Sequence, residues 1–296
     1  YGELEREMEF VRSDCAGLLN CSVEEVSMTR STTESMNSLA SGILFQKGDR
    51  ILTSDQEHPG GRVCWDYVSR RFGVELDIVQ IPDHINDPLQ ILDLFRRRIS
   101  NKTRVLSVSH VLSSTGLRMP VAKLCELARE AGAISVIDGA QAVGAIKVDI
   151  GKLGCDAYAS SGHKWMLGPK GTGILYISRT AQKLIEPISL QSGRNVYSAS
   201  SGVSNIPEIL GLRRSVRFLV EKGIDKIESY NLGLRNRLAA VLAGVGTLIW
   251  MRRRRHSEEA EMTTEPAFET DMRISAPPQT VGRSGRDEPR RWLMIH

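Results

Sequence analysis

Residues 134–176 read ISVIDGAQAVGAIKVDIGKLGCDAYASSGHKWMLGPKGTGILY, and the rest of the chain is organised around them. An apolar strand ends in Asp138 and is followed by the turn Gly139-Ala140-Gln141. A second strand then ends in Ser160-Ser161-Gly162-His163-Lys164. An open α/β sheet presents its ligand-binding edge at the C-terminal ends of its strands, so this spacing brings a carboxylate and an amine to one edge. A lysine amine can form a Schiff base with an aldehyde cofactor. A carboxylate can hold the pyridine nitrogen of that cofactor protonated, so that the ring accepts electrons. This is the logic of pyridoxal phosphate chemistry.

Outward from this stretch the chain alternates helix and strand. Leu4, Met8, Val11 and Leu18 give helical spacing over residues 2–19, and Val26 to Arg30 reads as a short strand. Ser31-Thr32-Thr33-Glu34 opens a helix carrying Met36, Leu39, Ala40, Ile43 and Leu44. Hydroxyls and free N–H groups at such a start cap the helix, and the same groups bind phosphate. Arg50 to Ser54 is the next strand and leads into DQEHPGG (55–61). Pro59 then opens a helix that Gly73 ends. Further strands are expected at 75–81 and 104–110, with helices from 89 to 99 and from Pro120 to Gly132. Recurring strand and helix make a mostly parallel α/β sheet.

Beyond Tyr176 the spacing predicts a polar loop over 191–205, a helix from Pro207 and another from Ile224 to about Leu242. From Arg252 the composition changes to an arginine run, acids and prolines without lysine, which predicts a low-complexity, disordered tail. The chain has 296 residues, 41% of them apolar and 25% charged, with a formal charge of +4. That balance gives no reason to expect nucleic acid or an anionic membrane as partner. Five scattered cysteines show no metal or redox spacing, so no metal site is expected and a reducing cytoplasm fits. The longest apolar run, Leu238 to Trp250, reads as too short to span a bilayer. GPKGTG (168–173) is neither a Walker A loop nor a dinucleotide fingerprint. The first residue, Tyr1, suggests that an N-terminal part precedes this sequence.

DQEHPGG, SHVLSSTG (109–116), VIDGAQ (136–141) and SSGHKW (160–165) occur in one order. They resemble the class V aminotransferase group of fold-type I pyridoxal phosphate enzymes, which includes cysteine desulfurases and isopenicillin-N-epimerase-like proteins. The resemblance covers roughly residues 1–242. It implies the large domain of the fold-type I PLP-dependent transferases: an α/β fold with a mostly parallel seven-stranded sheet and helices on both faces. The chain would be truncated at both ends, with the C-terminal small domain largely missing. The implied domains are a cofactor-binding domain over 1–190, an active-site loop and connecting helices over 191–246, and the tail over 247–296.

By the same resemblance Lys164 would carry the cofactor and serve as proton carrier at the substrate alpha carbon. Asp138 would pair with the pyridinium nitrogen, Gln141 would bond the phenolic oxygen, and His58 would stack on the ring. Thr32, Thr33, Ser161 and His163 would hold the phosphate. Lys164, His58 and Asp138 are the catalytic set. Two positions depart from the pattern: Ser113 stands where desulfurases often have asparagine, and Val203 stands where members often have a threonine that reaches a partner's phosphate. No arginine is assigned to the substrate carboxylate, Arg194 being only a guess. The implied activity is transamination or epimerisation of an amino acid by a cytoplasmic homodimer, with EHPGGRVCW (57–65) resembling the epimerase-like subgroup. A cysteine desulfurase-like enzyme, or an inactive truncated form of the fold, is the alternative.

Overall fold

Strands whose side chains alternate between two apolar layers need helices on both faces, and the chain supplies them. The computed structural model describes residues 2–82, 85, 87–187 and 205–262. In chain order these form α1 (Gly2–Leu19), β1 (Val26–Thr29), α2 (Thr32–Gly42), β2 (Arg50–Ser54), α3 (Pro59–Phe72), β3 (Glu75–Val79), α4 (Pro88–Arg96) and β4 (Thr103–Ser109). There follow α5 (Val121–Glu130), β5 (Ile134–Asp138), α6 (Ile150–Leu153), β6 (Ala157–Ser161), β7 (Gly173–Ile177), α7 (Ile206–Lys222) and α8 (Ile224–Met262).

The strands form one seven-stranded sheet in the order β1-β7-β6-β5-β4-β2-β3. The pairs β3–β2, β2–β4, β4–β5 and β5–β6 are parallel, whereas β7 runs antiparallel to both β6 and β1. The expected mostly parallel, seven-stranded sheet is therefore the observed one. On one face Met36 and Leu39 of α2 and Cys64, Trp65 and Val68 of α3 pack on Ile51, Val105, Val136 and Leu175. On the other face α1, α4, α5 and α7 bury Val11, Ile91, Phe95, Leu124 and Leu212 against Leu52, Leu106, Ile137 and Ile174.

Because β2, β4, β5 and β6 are parallel, Ser54, Ser109, Asp138 and Ser161 end on one edge, with Ser109 registered opposite Asp138. The loops that leave this edge carry the residues singled out in the sequence. Their helices start by local rules: Ser31 accepts the Glu34 N–H at 3.1 Å to cap α2, and Pro59 opens α3 behind His58.

Two expectations at the C-terminal end need correction. Helix α8 runs to Met262, so residues 247–262 are helical rather than the start of an irregular tail. Arginine, glutamate, alanine and methionine are good helix formers, and they extend a helix after its apolar spacing has ended. Ile224–Ile249, 26 residues, is also long and apolar enough to cross a membrane by length and composition, although none of it is buried. The shorter apolar run began at Leu238, whereas the helix carries Arg235 and Arg237 without interruption. The first turns of α8 dock on the α/β unit through Asp225 to Lys147 at 3.0 Å and Glu228 to Arg118 at 2.9 Å. The chain divides into two compact units, Tyr1–Leu238 and Ala239–His296. The loop expected at 191–205, with Arg194 and Val203, lies outside the described residues except for Asn205, and so does the tail beyond 262.

Candidate active site

Asp138 is the last residue of β5 and is 7% exposed. Its Oδ1 accepts the N–H of Ala140 at 2.9 Å, two residues on, as a carboxylate at a turn does. Among the described residues no hydrogen-bond donor reaches Oδ2. That oxygen faces the start of α3 at Gly61, where a Cβ would stand 2.6 Å from it. Glycine at 61 thus leaves room beside the carboxylate that any side chain would fill. Burial pushes the Asp138 carboxyl up from its ordinary range, while the Ala140 N–H, Lys164 and His58 pull it down. The lysine and the histidine therefore lie close enough to share one field with the acid.

His58 caps α3, and its Nδ1 accepts the Gly60 N–H at 3.0 Å. With Nδ1 occupied as an acceptor, the neutral ring carries its proton on Nε2. Thr33 Oγ1 borders Gly60 on the same side, so Thr33 and His58 meet across a position that has no side chain. Thr32 and Ser161 are joined twice: Ser161 Oγ accepts the Thr32 N–H at 2.9 Å and lies 2.8 Å from Thr32 Oγ1. The first turn of α2 and the end of β6 therefore meet as a cluster of hydroxyls at a helix start. His163 is exposed and makes no hydrogen bond among the described residues, and Lys164 is half-buried. Gln141 Oε1 accepts the indole N–H of Trp165 at 2.8 Å. Ser113 is exposed, and it is its neighbour Ser114 that reaches Gln56 Oε1, at 3.2 Å.

The sequence reading missed Glu57. Its carboxyl lies between two strand ends, accepting Ser54 Oγ from β2 and Ser109 Oγ from β4, each at 2.6 Å. Burial pushes it up to about 7, opposed by the two serine hydroxyls and reinforced by the charge of Asp138. The signal was present, because Glu57 lies just past a strand end as Asp138 lies at one, but only the fold brings both serines to it. A second support is the buried pair His110 Nδ1 and Tyr158 OH at 2.9 Å, beneath Gly139, where a Cβ would strike the tyrosine ring.

Glu57 gives a testable pH dependence. An unfolded glutamate titrates near 4.5 and the folded one at about 7, so the native state holds this proton through that window. The contribution is fully present below the lower value and is lost as pH rises towards the upper one. Denaturant melts of the chain should show falling stability across this range, and Glu57→Gln, which stays neutral, should flatten that part of the slope. An unchanged slope in the variant would place the titration elsewhere.

A family model for class-V aminotransferases matches residues 2–270. The chain belongs to the class V aminotransferase family. It is 37% identical over 176 residues to an isopenicillin N epimerase of Streptomyces clavuligerus, covering 60% of this chain and 44% of that protein. It is 30% identical over 255 residues to a probable cysteine desulfurase of Methanothermobacter thermautotrophicus, covering 81% of this chain and 62% of that protein. Among solved structures, the apo cysteine desulfurase of Thermococcus onnurineus NA1 matches with a TM-score of 0.74 at 28% identity, over 81% of this chain and 62% of that one. The chain thus spans 44 to 62% of the length of these class V relatives.

Pyridoxal 5'-phosphate is the class V cofactor, and the residues present fit it. A carboxylate oxygen of the largely buried Asp138, reached by no donor among the described residues, suits a pyridinium N–H. The glycine at 61 keeps a side chain off that oxygen, and hydroxyls at the start of α2 suit a phosphate.

Proposed function

We propose that this chain carries the cofactor half of an enzyme that acts at the alpha carbon or amino group of an amino acid, by transamination or epimerisation. The observation that carries the reading is the convergence of Asp138, His58 and Lys164 on one strand edge, where the amine and the imidazole both lower the buried carboxyl. Bound pyridoxal phosphate supplies an electron sink that stabilises negative charge at the alpha carbon. The protein residues supply position and proton transfer. Asp138 Oδ2 would hold the ring nitrogen, the His58 imidazole would pack on the ring, and the Gln141 amide would donate to the phenolic oxygen. Thr32, Thr33, Ser161 and His163 would take the phosphate at the start of α2, where Ser161 and Ser31 already hold the Thr32 and Glu34 N–H groups. Lys164 Nζ would hold the cofactor and carry a proton to and from the alpha carbon.

Two of the relatives named above bear the name cysteine desulfurase, so C–S cleavage is the competing reaction. In that chemistry a thiolate would accept the sulfur, and the thiols of this chain are poorly suited to it. Cys15, Cys64, Cys125 and Cys155 are buried and Cys21 is half-buried. Burial pushes Cys15, Cys21, Cys64 and Cys125 up to about 12 and holds Cys155 well above the usual thiol range, so none is a ready thiolate near neutral pH. The higher identity to an isopenicillin N epimerase, 37% against 30% to a probable cysteine desulfurase, supports epimerase-like chemistry. The reading includes a homodimer and a cytoplasmic setting, the latter supported by five free cysteines.

The test is incubation of the loaded protein with single amino acids in deuterated water, followed by proton NMR and chiral analysis. Loss of the alpha-proton signal that depends on Lys164, with inversion or conversion to a 2-oxo acid, is expected. Lys164-dependent release of alanine and sulfide from cysteine, without inversion of any amino acid, would reverse the order of the two reactions.

A further inference from the structure

The residue after Lys164 is Trp165, whose indole is about half exposed although its N–H is fully engaged. An indole nitrogen can only donate, so the Gln141 atom 2.8 Å away is the amide oxygen, and the ambiguity that usually attends a glutamine amide is removed. The amide NH₂ is then the end left free to donate. Burial does not hold the indole in place; the backbone beneath it does. Gly144 has a φ of +93°, and a Cβ there would meet the carbonyl of Trp165, so the two loops touch main chain to main chain. Lys164 O accepts the Leu167 N–H at 3.0 Å, Leu167 takes the left-handed φ of +58°, and Met166 is fully buried. This tight turn fixes where the indole leaves the backbone.

From this geometry we infer that Trp165 is a positioning residue: its indole N–H fixes the Gln141 amide so that the NH₂ end is presented to the phenolic oxygen of pyridoxal phosphate. The inference rests on the cofactor reading above. It also ties the loop that carries Lys164 to the loop that follows Asp138 and carries Gln141. Without the indole donor, the amide can rotate and offer its oxygen instead, which repels the phenolic oxygen.

Binding of pyridoxamine phosphate tests this without a bond to lysine and without turnover. The comparison ligand is the same molecule lacking its phenolic oxygen. Trp165→Phe keeps a ring but removes the donor. It should weaken pyridoxamine phosphate about tenfold and leave the analogue unchanged, as expected for one lost hydrogen bond. Equal weakening of both ligands, or of neither, overturns the role of Trp165 and leaves the cofactor reading standing. Failure of the wild-type chain to bind either ligand overturns the cofactor reading and this inference with it. Should Trp165→Phe fail to fold, the isotope-labelled indole N–H signals of the wild type and of Gln141→Ala decide the matter. The signal assigned to Trp165 should move and exchange faster in Gln141→Ala, and an unmoved signal overturns the inference.

Discussion

Asp138→Asn is expected to weaken pyridoxal phosphate binding by roughly a hundred- to several-thousand-fold. Removing one partner of a buried charge pair costs about 3–5 kcal/mol, because the other charge is left uncompensated. An asparagine can still accept a hydrogen bond there, but it cannot keep the ring nitrogen protonated, so the electron sink fails as well. The cofactor-free chain should respond in the opposite sense. The buried Asp138 carboxyl is raised by desolvation, so in the absence of a cation its ionised form costs stability as pH rises above the ordinary aspartate range. Asparagine carries no such cost, and the melting temperature of the cofactor-free variant at neutral pH should hold or rise. Titration calorimetry with pyridoxal phosphate beside thermal melts reads both signs. A variant that binds as tightly as wild type would mean that Oδ2 does not meet the ring nitrogen.

Lys164→Ala should abolish turnover and covalent retention of the cofactor while leaving the fold intact, since the side chain is half-buried and makes no hydrogen bond or ion pair among the described residues. Loss of a positioned proton carrier alone lowers rates by roughly 10²–10⁴, and loss of the covalent attachment adds to that. The expected product is a protein that melts near the wild-type temperature, binds pyridoxal phosphate reversibly and loses it on dialysis. Alpha-proton exchange surviving at more than a small fraction of the wild-type rate would assign the proton transfer to another group, with His58 the first to examine.

Much of this arrangement was legible because the informative residues sit at strand ends, where one local signal fixes both element and edge. Pro59 and Gly73 bound α3 as their backbone preferences require, with Gly73 at a φ of +68°. Asp138 and Lys164 fall at the same sheet edge because β5 and β6 are parallel neighbours. Other features were hidden for physical reasons. β7 is five buried residues without alternation, so no period marks it, and its antiparallel pairing with β1 and β6 follows only from the whole sheet. Glu57 is an ordinary acid in the sequence and becomes an enclosed one only when Ser54 and Ser109 arrive from strands more than fifty residues apart. Trp165 was visible as part of a motif, but its bond to Gln141 crosses 24 positions and depends on the left-handed turn at Leu167. The length of α8 was underestimated because amphipathic spacing was taken to mark its end, whereas helix-forming composition carries it on to Met262.

The central claim is that Lys164 is the residue that carries the cofactor. Its most direct test is to load the wild-type chain with pyridoxal phosphate, reduce it with borohydride and map the labelled peptide by mass spectrometry. A single pyridoxyl adduct on Lys164, absent from Lys164→Ala, is the expected result. Label spread over several surface lysines, or fixed on another lysine and retained in the variant, would contradict it.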